Sequence, residues 1–321
     1  MNKRHLKQVE FVRALAALSV AVFHFSAHFT WSEQTALNFT VGAQGVEVFY
    51  LISGFIIPFS LYHTSYKLKN YFQYMAKRLI RLLPPYITTI VLIQIISIFL
   101  CTYLWGCIHD INFRQIAINV FFLADLFPNY DWINPIFATL EVELQFYILI
   151  GILFVFYKKW SFTFPLFSAL LIVLGILTRD MDTVLINSPY FILGTALFFI
   201  KEEGWKWEYT ITVAMAFAIL LSDYYWMDLG AAAIGFGLLY FLPDNFKALN
   251  LTGKISYSYY LVHGLSGGWF LFFTEKSDFA IAHPLIMIIA ALLVSWVTAF
   301  VMYWVVERFS LKFSKRIRYA K

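Results

Sequence analysis

Apolar runs separated by short polar joints fill the chain from end to end. A membrane-spanning helix needs about 20 residues, with about 17 to 25 tolerated. Ten runs meet or approach that length: 9–29, 45–64, 84–104, 136–156, 162–178, 183–200, 208–222, 226–242, 255–273 and 284–306. The seventh and eighth are short and are parted only by residues 223–225. The stretch 115–127 is apolar but too short to cross, and reads as a re-entrant or interfacial segment on the outer side, closed by Pro128, Asn129, Tyr130 and Asp131. No joint is long enough for a soluble domain, and neither an internal repeat nor a low-complexity tract is present. The first run is not a cleaved signal peptide, being long, carrying Arg13 and His24 and lacking a small-residue cleavage site. The pattern predicts an all-α polytopic membrane protein, with residues 1–321 forming a single transmembrane domain.

Composition agrees and charge orients the spans. The chain is 61% hydrophobic and only 13% charged, with a mean hydropathy of +0.70, against about a quarter charged for a soluble domain. Its 35 Phe, 20 Tyr and 10 Trp suit aromatic belts at two interfaces. With the N-terminus inside, twenty of the 24 Lys and Arg fall on inner joints and tails, three (Arg114, Arg179 and Lys276) on outer joints, and Arg13 within the first span. That asymmetry follows the positive-inside rule and places both termini in the cytoplasm. The net charge of +5 is therefore a topology signal; nucleic-acid binding would want a basic, base-stacking face in water, which this chain lacks. The two cysteines, Cys101 and Cys107, would face away from each other on a helix, so no disulfide is expected between them.

Function has to come from polar side chains where the bilayer makes them costly, by about 3 kcal/mol for an ionisable group at the centre of a span. Five places stand out. On the opening helix, Arg13 and His24 are three turns apart and share one face at about 16 Å, which would put His24 roughly halfway through a ~30 Å core. Glu10 lies one turn before Arg13 and can pair with it. A snorkelling Arg and a His bonded to a neighbouring helix are the structural alternatives, and His28 reads as interfacial. Zinc would need more nitrogen or sulfur ligands than this pair. The second place is Gly45 to Phe55, with Glu47 near its outer end and Ser53 and Gly54 inside; its small residues equally suit close helix contacts.

The third is Arg78 and Arg81, which face the same way at the inner mouth of the third span, where forked guanidiniums suit phosphate oxygens and anionic lipid alike. The fourth is Glu141, Glu143 and Gln145, with Glu141 and Gln145 on one face and Glu143 on roughly the other. The fifth is Ser256 to His263, with Tyr257 a further candidate, where Tyr259 and Tyr260, four and three residues before His263, make with it a hydroxyl–imidazole cluster or an ordinary interfacial tyrosine group.

These runs together, in this order and spacing from residue 9 to about 265, resemble the acyltransferase 3 family: Phe11-Val12-Arg13 with His24, Gly45 through Phe55, Arg78 through Pro84, Glu143 through Tyr147, and Ile255 through His263. No one of the motifs is specific; five in order are. The resemblance implies a ten-span core, an acyl-coenzyme A donor (with a bias to acetyl) reached from the cytoplasm, and acylation of a hydroxyl on a cell-surface glycan, lipid-linked sugar or related acceptor, mostly in bacteria. It implies residence in the bacterial cytoplasmic (inner) membrane among its lipids. It also implies functional roles for Arg13, His24, Arg78 and Arg81. Glu47 stands where Asp is common, and Leu144 where many members carry a second Glu, so any role rests on Glu143 alone. The extracytoplasmic hydrolase-like domain of some members is not expected here.

The chemistry fits those residue types. A thioester is already activated and needs no metal, while the acceptor hydroxyl needs a base, for which His is suited. His24 is therefore expected as general base with Glu143 as a second catalytic group, and Arg13, Arg78 and Arg81 as donor-binding cations. The rival reading is a secondary transporter or flippase for a lipid-linked sugar, whose usual paired repeats with broken helices are not found.

Overall fold

The computed structural model describes residues 6–127, 129–179, 183–222 and 226–319. Among these residues every regular element is helical and no strand occurs. The apolar runs fold as α1 Lys7–Ser26, α2 Gly45–His63, α3 Tyr71–Leu100, α4 Phe137–Lys159, α5 Thr163–Leu177, α6 Ser188–Glu203, α7 Trp207–Ser222 and α8 Trp226–Phe241. The ninth, α9, is Ser256–His263 continued through a π turn, Gly264–Gly268, into Trp269–Thr274. The tenth, α10, is Pro284–Met302 continued through a second π turn, Tyr303–Glu307, into Arg308–Ser314. Five continuous helical stretches, Lys7–Ser26, Glu33–His63, Leu68–Trp105, Phe137–Lys159 and Pro284–Ser314, are long and apolar enough to cross a membrane. The joint at 223–225, and Lys3, Arg4, Pro128 and Lys321 of the charge and turn readings, lie outside the described residues.

Prolines inside helices position the elements around the site. Pro58 has no N–H for the Gly54 carbonyl, and Thr195 Oγ1 of α6 donates to that oxygen at 3.1 Å. The same crossing is tight: a side chain on Gly54 would run into the Phe191 backbone, and one on Gly194 into the Leu51 carbonyl. Gly54 thus serves the close helix packing foreseen as one of its two roles. In α3, Pro85 leaves the Arg81 carbonyl without its helical donor, and Ser310 Oγ reaches it at 3.3 Å. Next to it, Tyr257 OH donates to the Leu82 carbonyl at 2.9 Å. Where no water is available, such side-chain donors are what make a broken helical ladder tolerable.

Two expectations are corrected. Cys101 and Cys107 form a disulfide, with Cα atoms 4.7 Å apart. The geometry of a continuous α-helix does not apply to them: α3 loosens into a π turn over Cys101–Trp105, and Gly106 takes a left-handed conformation (φ 63°) that folds Cys107 back over Cys101. His24 lies in the last turn of α1, not midway, because the helix starts at Lys7 and ends at Ser26, whose carbonyl accepts from Trp31 Nε1 at 2.8 Å.

The outer apolar stretch contains a helix, Phe113–Val120, about 12 Å long and so too short to cross. Phe113 is 75% exposed, whereas Asn119 is buried. Asn119 anchors the segment, donating through Nδ2 to the Asp131 carbonyl and accepting at Oδ1 from Ile133 N–H, while its own carbonyl accepts from Tyr86 OH. This anchoring leads into residues 134–136, which line a cleft in the bundle.

Candidate active site

Two of the cavities inside the bundle hold seven of the nine sequence-predicted residues; Arg78 and Glu47 line neither. The inner one, about 60 Å³, is lined by Arg13 of α1, Ser53 of α2, Arg81 of α3, Glu143 and Tyr147 of α4, and Ser256, Tyr257 and Tyr260 of α9. Five helices far apart in sequence thus bring together five of the nine candidates: Arg13, Ser53, Arg81, Glu143 and Tyr257.

Glu143 is the hub. Its Oε1 accepts from Ser53 Oγ at 2.6 Å and from Tyr147 OH at 2.5 Å. Two hydroxyl donors on one oxygen fix the orientation of the carboxyl group. Arg13 donates from Nε to Ser256 Oγ at 3.0 Å, and its charge interacts with those of Arg81, Glu307 and Glu143. The opposite faces foreseen for α4 hold: Glu141 is turned away from the cavity, its Oε1 accepting from Gln145 Nε2 at 3.0 Å, while Gln145 Oε1 accepts from Val184 N–H at 2.9 Å. Glu141 is part of the packing of the loop before α6, and Glu143 part of the site.

Arg78 stands one turn before Arg81 on α3 and is only 7% exposed. Its guanidinium lies 5.6 Å from the centre of the Tyr74 ring and 5.7 Å from that of Tyr147, a cation–π arrangement on both. Its Nε is buried with no hydrogen-bond partner among the described residues, an arrangement that costs free energy unless a ligand completes it. The expected open mouth is therefore, at Arg78, an aromatic clamp; Arg81, half-buried, is the one of the pair that faces the cavity.

The outer cleft, about 350 Å³ and more open, is lined by His24, His28, Asn134, His263, Trp269 and Phe272, among others. The His24 and His263 rings lie 5.3 Å apart. His263 is 1% exposed and its Nδ1 is 2.7 Å from the Tyr260 carbonyl. A carbonyl only accepts, so Nδ1 carries the proton and Nε2 keeps a free lone pair. His28 Nδ1 pairs with Glu275 Oε2 at 2.5 Å at the rim. Trp105, carried by the disulfide loop, packs against Trp269 at 6.1 Å and Phe272 at 6.4 Å. Glu47 lines neither cavity; its charge reaches Tyr260. Among the described residues no three His, Cys, Asp or Glu side chains converge as a metal site requires.

Sequence reasoning missed Glu307. It ends the π turn of α10, is 2% exposed, and accepts at Oε2 from Ser258 N–H at 3.2 Å and Ser258 Oγ at 2.6 Å. Its charge interacts with Arg81 and Arg13. The available signal was its place directly after the last apolar run, as the one acid from residue 284 onward.

Comparison with known proteins adds a family. A family model described as an acyltransferase domain matches residues 6–304. The peptidoglycan O-acetyltransferase of Listeria monocytogenes is 25% identical over 201 residues, covering 57% of this chain and 30% of that protein. An O-acetyltransferase of Staphylococcus aureus (strain NCTC 8325) is 24% identical over 319 residues, covering 82% of this chain and 50% of that protein. The chain thus spans half or less of the length of these relatives. No solved structure matches at a significant level.

Proposed function

This chain belongs to the acyltransferase 3 family, and on that premise we propose that it is a membrane O-acyltransferase that moves an acetyl group from acetyl-coenzyme A to a hydroxyl of a cell-surface glycan. The observation that carries the reading is the pair of cavities: cations and a fixed carboxylate in the inner one, three imidazoles (His24, His28 and His263) in the outer one. A water-sized group occupies about 10–15 Å³ by this measure, so an inner cavity of about 60 Å³ has room for an acetyl thioester end and not for a long chain. The peptidoglycan activity of the Listeria relative supports a cell-wall or related glycan as acceptor. No comparable support exists for a transporter.

In this reading Arg13, Arg81 and Arg78 are the donor-binding cations, Arg13 and Arg81 from the wall of the inner cavity and Arg78 from behind it between Tyr74 and Tyr147, while Glu143 holds the cavity wall through its bonds from Ser53 and Tyr147. His24 is the general base. The acceptor hydroxyl gives its proton to His24 as its oxygen bonds to the thioester carbonyl carbon; the carbon–sulfur bond breaks, and the thiolate leaves with the coenzyme and is reprotonated. Incubating the purified protein with labelled acetyl-coenzyme A tests the reading: thiol release with transfer of label to glycan is expected, and no turnover with any glycan would refute it.

Arg81→Ala and Arg78→Ala are expected to raise the KM for acetyl-coenzyme A about 10- to 150-fold, the equivalent of roughly 1.5–3 kcal/mol for one charged hydrogen bond. Lys at either position should rescue only in part, since an ammonium cannot fork. Steady-state kinetics on both Ala variants with unchanged donor KM would return the pair to lipid anchoring.

The ten helices cross a bacterial cytoplasmic membrane ten times in this reading, with both termini inside and Phe113–Val120 lying in or dipping into the outer interface. The split of basic residues supports the orientation, and so does the disulfide at the end of α3, since such bonds persist in oxidising compartments outside the cytosol. Cysteines placed at 254 and 276 should respond oppositely to an impermeant thiol reagent on intact cells, with 276 labelled and 254 protected. The native pair, being oxidised, stays silent. Labelling of 254 alone would overturn the orientation.

A further inference from the structure

The inner cavity and the outer cleft meet at one turn of α4 and one turn of α9. Thr139 and Tyr260 line the cavity, while Ile136 and His263, three residues away on the same stretches, line the cleft. At this boundary, bridging α4 and α9, Tyr260 OH lies 2.8 Å from Thr139 Oγ1, and Thr139 Oγ1 lies 2.8 Å from the Ile136 carbonyl. A threonine hydroxyl has one hydrogen. The Ile136 carbonyl can only accept it, so Tyr260 is the donor to Thr139. On the far side, His263 Nδ1–H donates to the Tyr260 carbonyl, and the Phe49 ring packs edge-on to the Tyr260 ring at 5.6 Å. Tyr260 is thus held at both its hydroxyl and its backbone, and the hydroxyls facing each other across the boundary satisfy one another.

This closure matters for the chemistry. The donor's acyl end belongs in the inner cavity and the base in the outer cleft, and water fills any open cleft. Water is a hydroxyl nucleophile like the acceptor: its oxygen would bond to the carbonyl carbon, the carbon–sulfur bond would break, and carboxylic acid and thiol would leave with nothing acetylated. Excluding water until the acceptor is seated is a recognised task of closed sites.

Resting on the donor reading above, we propose that the Tyr260–Thr139 hydroxyl pair is an internal seal between donor cavity and acceptor cleft. Tyr260 and Thr139 are positioning residues: they decide whether the acyl group meets the acceptor or water, and transfer proceeds through their separation.

The test is thiol release from acetyl-coenzyme A by the purified full chain with no acceptor present, beside the variants Tyr260→Phe and Thr139→Val. Each keeps the bulk of the side chain and removes the bond between the hydroxyls. Acceptor-free hydrolysis should rise about two- to tenfold, the range set by one uncharged hydrogen bond, and Thr139→Ser, which keeps the bond, should hydrolyse at the wild-type rate. A merely structural role would lower transfer and leave hydrolysis flat or falling. Thermal unfolding identifies a variant that fails to fold, and the other variant then reads the same bond. Hydrolysis no faster than wild type in a folded variant overturns the seal. A wild-type protein that neither binds nor cleaves acetyl-coenzyme A overturns the donor reading and the seal with it, and is told apart by that first measurement.

Discussion

His24→Ala abolishes most turnover, by about 10² to 10⁴ in rate, while the protein still inserts and still binds acetyl-coenzyme A. The magnitude is that of a positioned general base removed. The separation of effects follows from geometry: His24 lines the outer cleft, and the residues that hold the donor line the inner cavity or lie behind it. Only a neutral imidazole can take the acceptor's proton, and at the last turn of α1 its ring stands beside His263 at 5.3 Å with open cleft in front of it. His24→Gln, close in shape and without a basic nitrogen, should lose activity equally. Single-turnover measurements with saturating donor separate this from a binding defect. Near wild-type turnover by His24→Gln would move the base elsewhere, to Glu143 first and His263 second.

Glu307→Ala is expected to lower stability by about 3–5 kcal/mol, the cost of taking one partner from a buried charge network. Glu307 is almost wholly buried, receives two hydrogen bonds from Ser258, and is the acid whose charge acts on both Arg13 and Arg81. Its loss leaves two guanidiniums without that compensation and a backbone N–H without an acceptor. Glu307→Gln keeps an oxygen for both Ser258 donors and loses only the charge, so it should fall between wild type and Ala. Unfolding followed in detergent micelles distinguishes the three, and an Ala variant as stable as wild type would show that the arginines need no such partner.

Much of this site is visible in one dimension. Helical periodicity separates Glu143 from Glu141, and the local runs around Arg13, Ser53, Arg81 and Tyr257 each present polar side chains to what becomes the same cavity. The partition of the site was not legible, because it depends on how α4 and α9 face each other: Thr139 reads as an ordinary helix-start threonine until Tyr260 is placed across from it. Glu307 escaped notice for a related reason. An acid just before a basic tail reads as interfacial, and only the π turn and the Ser258 amide reveal that it points inward. The cysteine pair was misjudged because spacing was read on an ideal helix, whereas a left-handed glycine had already ended it.

The disulfide loop also bears on how the protein matures. In the proposed orientation, Cys101 and Cys107 join once the tip of α3 has left the reducing side of the membrane. That tip carries Trp105, which packs on the Trp269–Phe272 wall of the acceptor cleft. In the proposed orientation, oxidation after export would complete this part of the rim of the outer cleft. If the acceptor enters by that cleft, as proposed, biogenesis and substrate access are tied to one covalent bond.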